Sequence, residues 1–347
     1  MKTVRDFDVK GKRVLLRCDF DVPLDERGRI LDDFRIKEAL PTIQYLISNE
    51  AKVILIGHLG RPGGKVVESL RLTSIQDKLT EYLGISVAKG SDCVGLEIEK
   101  LIEGMRPGKV LLLENIRFHQ GEEKNDEEFA KELAGLGDSY VNNAFANSHR
   151  NHASMTGVSK YLPSVAGLTL AKEIEILSGL MENPKKPLAV IIGGAKVEET
   201  KLKVIDRFSE TAEAFLVGGL VAKEIKEKKL RLNRPEKIVW PVDETGGGKD
   251  IGPKTVELFK EKISIAKTIF WNGPLGMIEK EEFSRGTREI AKAIIGSCAF
   301  SVVGGGETAE FINKIGLTNK FNHVSTGGGA MLEFLSGEEL PGITALK

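Results

Sequence analysis

Residues 188–196, Leu-Ala-Val-Ile-Ile-Gly-Gly-Ala-Lys, join five strand-forming apolar residues to a glycine turn that ends in a lysine. Three further stretches have the same form, a short apolar run followed by glycines: residues 214–219, 300–307 and 323–329. The last two continue directly into helical patterns. Glycines between a strand and a helix leave backbone N–H groups unpaired at the positive end of the helix dipole, which favours anions. Four such stretches in one half of the chain predict a polyphosphate ligand.

Short apolar segments typical of buried strands alternate with helical patterns along the whole chain. Besides the four glycine-linked runs, they occupy residues 14–17, 53–56, 110–113, 140–141, 237–240 and 268–271. Capped helices with one apolar face are predicted from Asp33, from Thr73 to Gly84, and from Asp126. Almost wholly apolar strands between helices form parallel sheets that are covered on both faces. We therefore predict an α/β fold with two doubly wound, Rossmann-like lobes.

The join between the lobes is predicted within residues 168–186. Residues 171–180 have a helical pattern, and Asn183-Pro-Lys-Lys-Pro187 ends that helix before the next strand. No long low-complexity linker is present, so we expect the two lobes to be joined by a helix. The predicted lobes are residues 1–167 and 187–334, with 168–186 as an interdomain helix or hinge.

Composition excludes several classes of partner. The chain has 50 basic and 50 acidic residues and a pI near 7.0, so neither a nucleic acid nor a membrane surface is expected as a partner. Cys18, Cys93 and Cys298 are widely spaced and odd in number, which predicts reduced thiols and no zinc site. The N-terminus lacks the apolar region of a signal peptide, and the apolar runs are too short to span a bilayer. We expect a soluble, intracellular protein.

Charged side chains follow the strands of the first half, where ligands bind in open α/β sheets. They are Arg17, Asp19 and Asp21; His58 and Arg61; Asn115, Arg117 and His119; and His149, Arg150 and His152. Planar guanidinium groups suit phosphate and carboxylate, so this set predicts a site for a small, doubly anionic metabolite. Alternatively, the arginines are solvated or form structural ion pairs, or His149 and His152 share a metal. His119 and His323 are interpreted as structural.

Other phosphate-binding signatures are missing. The chain contains no Gly-x-Gly-x-x-Gly after a strand and no Gly-x-x-x-x-Gly-Lys-[Ser/Thr], and it lacks the protein-kinase motifs. Residues 246–249, Gly-Gly-Gly-Lys, follow no apolar strand and are interpreted as a surface turn.

Seven segments together resemble the phosphoglycerate kinase family, in the family's order and nearly from end to end. They are residues 13–24, 58–62, 112–119, 144–150, 193–197, 271–276 and 323–330. The resemblance implies reversible transfer of a phosphoryl group from 1,3-bisphosphoglycerate to ADP, giving 3-phosphoglycerate and ATP, with Mg²⁺. It also implies that the N-terminal lobe binds the phosphoglycerate, the C-terminal lobe binds ATP or ADP, and residues 335–347 pack back on the first lobe.

The same resemblance assigns roles to individual residues. Those implied for the phosphoglycerate are Asp19, Asp21, Arg35, His58, Leu59, Gly60, Arg61, Arg117 and Arg150. Those implied for the nucleotide are Gly193, Gly194, Ala195, Lys196, Lys201, Gly218, Gly219, Asn272, Pro274, Glu279, Gly304, Gly305, Gly306, Glu307 and Thr308, with Glu307 also meeting the metal. Arg35, Lys196, Lys201, Gly327 and Gly328 are expected to stabilise the group in transfer.

Four departures from the family pattern concern this site. Asp21 replaces a usual Asn and Asn143 a usual Asp, which suggests that the two exchanges compensate for each other. Glu307 replaces a usual Asp at the metal position. The second lysine, Lys201, is displaced by one residue, as expected from an insertion in residues 198–200. The chain is also short between residues 219 and 252, which leaves its preference between ATP and GTP open.

Two functions are therefore considered. The first is a monomeric, cytoplasmic phosphoglycerate kinase that works by closure of its lobes. The alternative is a non-catalytic sensor or scaffold that binds nucleotide on the same fold.

Overall fold

A computed structural model describes all 347 residues, Met1–Lys347. The chain folds into two compact units. Unit 1 contains Met1–Ile174 and Glu339–Lys347, and unit 2 contains Glu175–Glu338. These divisions lie a few residues from the predicted lobe boundaries. None of the helices combines the length and the apolar character that crossing a bilayer requires.

Unit 1 is built on a parallel sheet of six strands in the order β3-β4-β2-β1-β5-β6. Its strands are β1 (Arg13–Arg17), β2 (Lys52–Ile56), β3 (Val87–Lys89), β4 (Val110–Leu112), β5 (Ser139–Asn142) and β6 (Ser164–Ala166). Its helices are α1 (Phe34–Ser48), α2 (Thr73–Leu83), α3 (Leu96–Glu103), α4 (Gln120–Lys124) and α5 (Glu127–Gly135). The direction of winding reverses between β1 and β5, so a ligand crevice is expected beyond the carboxyl ends of these two strands.

Unit 2 contains a second parallel sheet of six strands, in the order β14-β13-β12-β7-β8-β9, and a separate hairpin of β10 with β11. The strands are β7 (Leu188–Ile192), β8 (Ala214–Val217), β9 (Ile238–Val239), β10 (Glu244–Thr245), β11 (Asp250–Ile251), β12 (Thr268–Asn272), β13 (Phe300–Gly304) and β14 (His323–Val324). The helices that lie wholly in this unit are α7 (Glu199–Phe208), α8 (Gly219–Glu227), α9 (Pro253–Ile265), α10 (Arg285–Gly296), α11 (Gly306–Lys314) and α12 (Gly328–Leu335). Here the winding reverses between β7 and β12.

Both faces of each central strand are buried. In β1, Val14 and Leu16 belong to the apolar core formed with α1 and α2, whereas Leu15, equally buried, points to the opposite face. All five residues of β7 are buried as well. The prediction of two doubly wound parallel sheets is therefore confirmed.

Some of the predicted helix caps are present in the structure and others are not. The Asp126 side chain accepts a hydrogen bond from Phe129 N at 2.9 Å, and Gly84 ends α2 in the left-handed conformation at φ +64°. Asp33 stands at the N-cap of α1 but makes no capping bond, because its carboxylate accepts from Tyr82 and pairs with Lys37. The prediction that Thr73 caps α2 was wrong by one residue, since Thr73 is the first helical residue.

The polypeptide passes between the two units twice. The first passage is α6 (Leu168–Glu182), which begins in unit 1 and ends in unit 2. The second leads to α13 (Pro341–Thr344), which packs on residues 153–157 of unit 1. Gly342 fixes this terminal segment, because its N–H donates to Ser148 O at 2.8 Å and its carbonyl oxygen accepts from Asn142 Nδ2 at 3.0 Å.

Replacing Gly342 with alanine is expected to destabilise unit 1 by about 1–3 kcal/mol, the usual effect of overpacking. A methyl group at this position would lie 3.0 Å from both the Ser148 Cα and the Met155 Cε atoms. Urea unfolding followed by circular dichroism measures the change. The control is Gly296→Ala, since no atom lies within 4 Å of a methyl group there. An unchanged midpoint for Gly342→Ala would contradict the close packing of the C-terminal segment.

Candidate active site

The crevice of unit 1 lies where β1 and β5 end, and its floor is a buried carboxylate. Asp19 Oδ1 accepts from Asn147 Nδ2 at 3.3 Å, while Asp19 Oδ2 is buried without a hydrogen-bond partner. Arg35 enters from α1, with Nε 3.5 Å from Asp19 Oδ2 and Nη1 donating to Asp21 O at 2.8 Å. The ends of β1 and β5 and the first turn of α1 thus meet at one place, as the switch in winding requires.

Three side chains in a row lie beside this carboxylate: Arg17 and His58 are buried, and Asp21 is partly exposed. Arg17 is only 1% exposed, and its Nη2 donates to His58 Nδ1 at 3.0 Å. Because guanidinium only donates, His58 Nδ1 must accept, and the ring proton lies on Nε2, which faces Asp21 Oδ2 at 3.6 Å. Burial lowers the pKa of His58 to about 4, helped by the charges of Arg17 and Arg117 and opposed by Asp21. The imidazole is therefore neutral at neutral pH.

Asp21 remains a carboxylate in this setting. Burial alone would raise its pKa, but hydrogen bonds from His58 and Gly60 N–H and the charge of Arg35 lower it below its ordinary value. The Gly60 N–H donates to Asp21 Oδ1 at 2.8 Å. The negative charge of Asp21 is thus stabilised by groups outside its own loop, from the loop after β2 and from α1.

Asn143, the other exchanged residue, has a separate set of partners. Its Oδ1 accepts from Thr42 Oγ1 at 2.8 Å and from Thr169 N at 3.0 Å, so it holds the first turn of α6. Asn143 shares no hydrogen-bond partner with Asp21. The structure therefore offers no direct contact through which the two exchanges would compensate.

The loop of residues 58–61 is held by its backbone. The Asn115 side chain donates to Leu59 O at 2.8 Å and accepts from Leu59 N at 3.4 Å. Arg117 Nη1 donates to Gly60 O at 2.9 Å, while Arg117 Nε is buried without a hydrogen bond and lies 3.4 Å from Glu123 Oε1 as an ion pair. Arg61 and Arg150 are exposed and form no ion pair. Unpaired guanidinium groups around a fixed loop suit an anionic ligand.

In unit 2 the loops after β7 and β12 approach backbone to backbone. Gly193 N donates to Asn272 O at 2.8 Å, and Gly194 N donates to Pro274 O at 2.7 Å. A methyl group at Gly193 would collide with the Pro274 carbonyl, and one at Gly273 would collide with the Gly193 carbonyl. Only glycine permits so close an approach of the two loops. An open cleft of about 460 Å³ lies beside them.

Two helices begin at the same cleft. α11 and α12 start at Gly306 and Gly328, and a methyl group on Gly328 would lie only 3.2 Å from Gly306 N. The first turns of both helices therefore present unpaired N–H groups to one place, which favours phosphate. Two buried polar atoms at the cleft, Thr308 Oγ1 and Asn272 Nδ2, have no hydrogen-bond partner in the protein, as expected of groups that contact a ligand.

The same cleft contains oxygen atoms that could act as ligands for Mg²⁺. Glu307 lines the cleft beside Thr308, and carboxylate and hydroxyl oxygens are the hard ligands that Mg²⁺ uses when it also binds phosphates. Glu198, which the sequence did not single out, adds a second carboxylate at its edge.

Both predicted lysines reach the cleft. Lys196 lines it from the loop after β7, whereas Lys201 comes from α7 and is buried. Lys201 Nζ donates to Gly193 O at 3.2 Å and to Lys196 O at 3.1 Å. Burial lowers the pKa of Lys201, opposed by the charges of Glu198, Glu307 and Glu224. The ammonium group of Lys201 thus faces the glycine loop after β7, as expected of the second lysine; the insertion before it stays a prediction.

A smaller cavity of about 230 Å³ adjoins the cleft and shares Gly194, Pro274 and Glu307 with it. Its other lining residues include Gly219, Glu279 and four that sequence reasoning missed: Leu220, Gly248, Lys249 and Met277. Residues 246–249 form the turn of the β10–β11 hairpin, as predicted, but this turn also walls the cavity. Lys249 Nζ lies 5.0 Å from the centre of the Phe283 ring.

Most predicted residues of the second lobe are therefore brought together in unit 2. The larger cleft is lined by Gly194, Ala195, Lys196, Lys201, Asn272, Pro274, Gly305, Gly306, Glu307, Thr308 and Gly328. Four other predicted glycines are not part of this lining. Gly193 follows β7 and Gly304 ends β13, while Gly218 and Gly327 are the N-cap residues of α8 and α12.

Comparison with known proteins agrees with this geometry. The family model described as phosphoglycerate kinase matches residues 4–231 and 221–338. A phosphoglycerate kinase of Dictyoglomus turgidum is 47% identical over 395 residues, and one of Pelotomaculum thermopropionicum is 44% identical over 389; each alignment covers 99% of this chain and 98% of the relative. The crystal structure of phosphoglycerate kinase from Pyrococcus horikoshii OT3 superposes with a TM-score of 0.89 at 35% identity, covering 100% of this chain and 98% of that one.

The relatives also contain segments that this chain lacks, because the alignments extend over 389 and 395 residues and the chain has 347. The family model matches in two pieces that meet at residues 221–231. These residues comprise most of α8 and the four residues after it, and they directly follow Gly219 and Leu220, which line the smaller cavity.

The buried His58 is expected to make the free energy of unfolding depend on pH. The pKa of His58 is about 4 in the folded protein and about 6.5 in the unfolded chain. The contribution of the neutral ring to the free energy of unfolding is therefore complete above pH 6.5 and is lost as the pH falls towards 4. Between pH 4 and 6.5, His58→Gln should reduce the slope of the free energy of unfolding against pH by about 1.4 kcal/mol per pH unit. Urea titrations at several pH values measure it. A residual slope from His149 and His152, whose pKa values are also about 4, should remain in the variant. Equal slopes for the two proteins would contradict a neutral, buried His58.

Proposed function

The chain belongs to the phosphoglycerate kinase family, and we propose that its unit 2 binds the nucleotide while its unit 1 binds the phosphoglycerate. The reaction is the reversible transfer of a phosphoryl group from 1,3-bisphosphoglycerate to ADP, which gives 3-phosphoglycerate and ATP. It is a step of glycolysis and, in reverse, of gluconeogenesis. The proposals below concern how the residues of this chain perform it.

No general base is required. In the direction that forms ATP the leaving group is a carboxylate, and in reverse a carboxylate attacks; both are ionised at neutral pH. The site agrees with this chemistry, because burial lowers the pKa of His58, His149 and His152 to about 4, and the neutral His58 ring already directs its Nε2 proton towards Asp21. Catalysis then depends on in-line positioning and on stabilising charge on the transferring group.

The observation that carries the nucleotide assignment is the meeting of two helix N-termini and two lysines at one cleft. The first turns of α11 and α12 present N–H groups, and Lys196 and Lys201 supply positive charge opposite them. We propose that the N–H groups of residues 305–308, 328 and 329 and both lysines hold the phosphates of ATP or ADP. The N–H group of Gly327 already donates to Ser325 Oγ at 3.1 Å. Glu307, with Thr308 beside it, would hold Mg²⁺, which supplies positive charge to the phosphate oxygens when bound.

The smaller cavity extends this cleft and suits the nucleoside. Leu220, Met277 and Pro274 provide an apolar wall for a purine, and Glu279 offers a carboxylate to ribose hydroxyls. This assignment follows the family resemblance and the continuity of the two cavities through Gly194, Ala195 and Pro274.

In unit 1 the phosphoglycerate would be bound by side-chain cations. Arg61 and Arg150 are exposed and unpaired, Arg117 Nε lacks a hydrogen bond, and Arg35 lies at the carboxylate of Asp19. The backbone of Leu59 and Gly60 and the side chains of Asp19, Asp21 and His58 shape the loop around the ligand. We propose that Arg35 also contacts the group in transfer.

Because the two ligands are assigned to different units, we propose that the units close on each other during the reaction. Closure would exclude water, which would otherwise hydrolyse the acyl phosphate, and would bring donor and acceptor into line. We further propose that the protein acts as a monomer in the cytoplasm.

Lys201→Ala is expected to lower kcat by about 10²–10³-fold, since it removes a buried charge that faces the phosphate cleft. The measurement is a coupled assay with 3-phosphoglycerate and Mg·ATP, in which reduction of 1,3-bisphosphoglycerate by glyceraldehyde-phosphate dehydrogenase is followed. Lys196→Ala and Arg35→Ala should also lose most of the activity.

The matched control is Lys203→Ala on the same helix. Lys203 is exposed and pairs with Glu199 and Glu338, so its loss should leave kcat nearly unchanged. Equal, small effects of Lys201→Ala and Lys203→Ala would show that Lys201 is an ordinary helix residue. A folded wild-type protein that binds ATP but shows no turnover would instead support the non-catalytic alternative.

The nucleoside cavity is expected to discriminate weakly between ATP and GTP, within about tenfold in kcat/KM. Its wall is apolar at Leu220 and Met277, and Leu220 is 39% exposed. Strong rejection of a related ligand requires buried polar groups that would lose their partner, and such walls provide none. The same coupled assay with each nucleotide at varied concentration measures the ratio. A preference above about 10³-fold would show that other groups read the base.

A further inference from the structure

A second group of polar side chains lies at the edge of the sheet of unit 1, outside the crevice and the cleft described above. Asp92 and Cys93 belong to the loop between β3 and α3, and His119 immediately precedes α4. Asp92 Oδ1, Cys93 Sγ and His119 Nε2 all lie within 4.8 Å of one another. We call these three residues the Asp92–Cys93–His119 cluster.

The cluster is held in place by its surroundings. His119 stacks on Phe129 with ring centres 4.7 Å apart, and its Nε2 is 2.6 Å from Asp92 Oδ1. Asp92 Oδ1 also accepts from Cys93 N at 2.7 Å. The Cys93 thiol donates to Glu114 O at 3.0 Å. The three potential ligand atoms thus lie close together on two neighbouring segments, the loop after β3 and the residues after β4.

We propose that the Asp92–Cys93–His119 cluster is a binding site for a zinc ion. Thiolate, imidazole and carboxylate are the three side-chain ligands that zinc uses, and few other common metals accept all three. Bond lengths of about 2.0–2.3 Å in a tetrahedron place ligand atoms roughly 3.3–3.8 Å apart. Small rotations of the exposed Asp92 and the half-buried His119 reach this spacing from the present one.

Binding has a defined chemical balance. The ion replaces the S–H bond of Cys93 and the hydrogen bond between His119 Nε2 and Asp92, and the Cys93 proton passes to solvent. The proton that His119 Nε2 holds towards Asp92 transfers through solvent to Nδ1, so that the neutral ring binds the ion through Nε2. Thiolate and carboxylate then neutralise the two charges of zinc. A water molecule completes the coordination, since only three protein ligands are present.

The sequence did not indicate this site. Cysteine spacing predicted no zinc, because Cys93 has no paired cysteine and 25 residues separate it from His119. The fold brings them together because β3 and β4 are neighbours in the sheet, so the loop after β3 lies beside residues 114–119 after β4. Glu114 N, for example, donates to Asp92 O at 3.2 Å.

An ion at this point would restrain the segment that carries Asn115 and Arg117, which hold the loop of residues 58–61. The cluster does not itself contain any residue assigned to a substrate. Its occupancy is therefore separable from the proposed catalytic function.

The test uses Co²⁺ as a spectroscopic substitute on untagged, chelator-treated, reduced protein. Titration should produce, at one equivalent, visible d–d bands of tetrahedral intensity and a near-ultraviolet charge-transfer band that only a thiolate gives. One equivalent of Zn²⁺ should abolish both. Cobalt bound at Glu307 would give no thiolate band, so the two sites are distinguished.

Variants assign the ligands. Cys93→Ser should remove the charge-transfer band, and His119→Gln should raise the Kd for Co²⁺ at least tenfold. Cys298→Ser is the matched control, because Cys298 is an exposed thiol of unit 2 and its loss should change nothing. If Cys93→Ser does not fold, His119→Gln decides, since His119 is partly exposed and tolerates substitution. No stoichiometric band in the wild type, or a band unaffected by both substitutions, would overturn the proposal.

Discussion

The close approach of two backbone segments, at Gly193 and Gly273, is the constraint on which unit 2 depends. The central strands β7 and β12 lie side by side where the winding of the sheet reverses, and the loops that follow them exchange two backbone hydrogen bonds. Side chains at these two glycines would separate the loops. With them in contact, the N-termini of α11 and α12 and the ammonium group of Lys201 reach the same cleft. The anion site is thus a consequence of sheet topology combined with the absence of two Cβ atoms.

In unit 1, by contrast, the crevice depends on charged side chains that are buried beside it and held by hydrogen bonds. Arg17 is nearly inaccessible, and such a charge persists only with partners. Its guanidinium donates to Ser154 Oγ at 3.0 Å, to the Cys18 carbonyl and to His58. Glu122, fully buried, accepts from Ser154 N and Oγ in the same network, and burial raises its pKa. One consequence reaches the crevice: Arg17 fixes the tautomer of His58 and thereby the proton that faces Asp21.

The sequence predicts those parts of the protein whose signals are local. Apolar runs such as residues 188–192 and the cap at Asp126 were located correctly, since each depends on neighbouring residues alone. Three-residue edge strands, β3 and β6, were missed because they carry too few apolar residues to show a period. The roles of Leu220 and Lys249 at the smaller cavity were missed for another reason, as they depend on which loops the sheet places side by side. For the same reason, the exchange of Asp21 with Asn143 suggested a compensation that their separate contacts do not support.

In unit 2 the proposed phosphate site consists largely of backbone N–H groups, whereas the proposed nucleoside site consists largely of side chains. This difference bears on how unit 2 can retain its site in a shortened chain. The break in the family match lies in α8, whereas the phosphate cleft is built from the loops after β7, β12 and β13 and from the first turns of α11 and α12. The loop after β7 does bond to α8, because Val197 N donates to Glu224 Oε2 at 2.7 Å, but its hydrogen bonds to the segment after β12 are made by Gly193 and Gly194. N–H groups supplied by glycine loops do not change with the side chains around them, so the phosphate end of the site keeps its geometry. The smaller cavity, to which we assign the nucleoside, is walled by Leu220 of α8 itself, and we propose that the shortened chain affects recognition there.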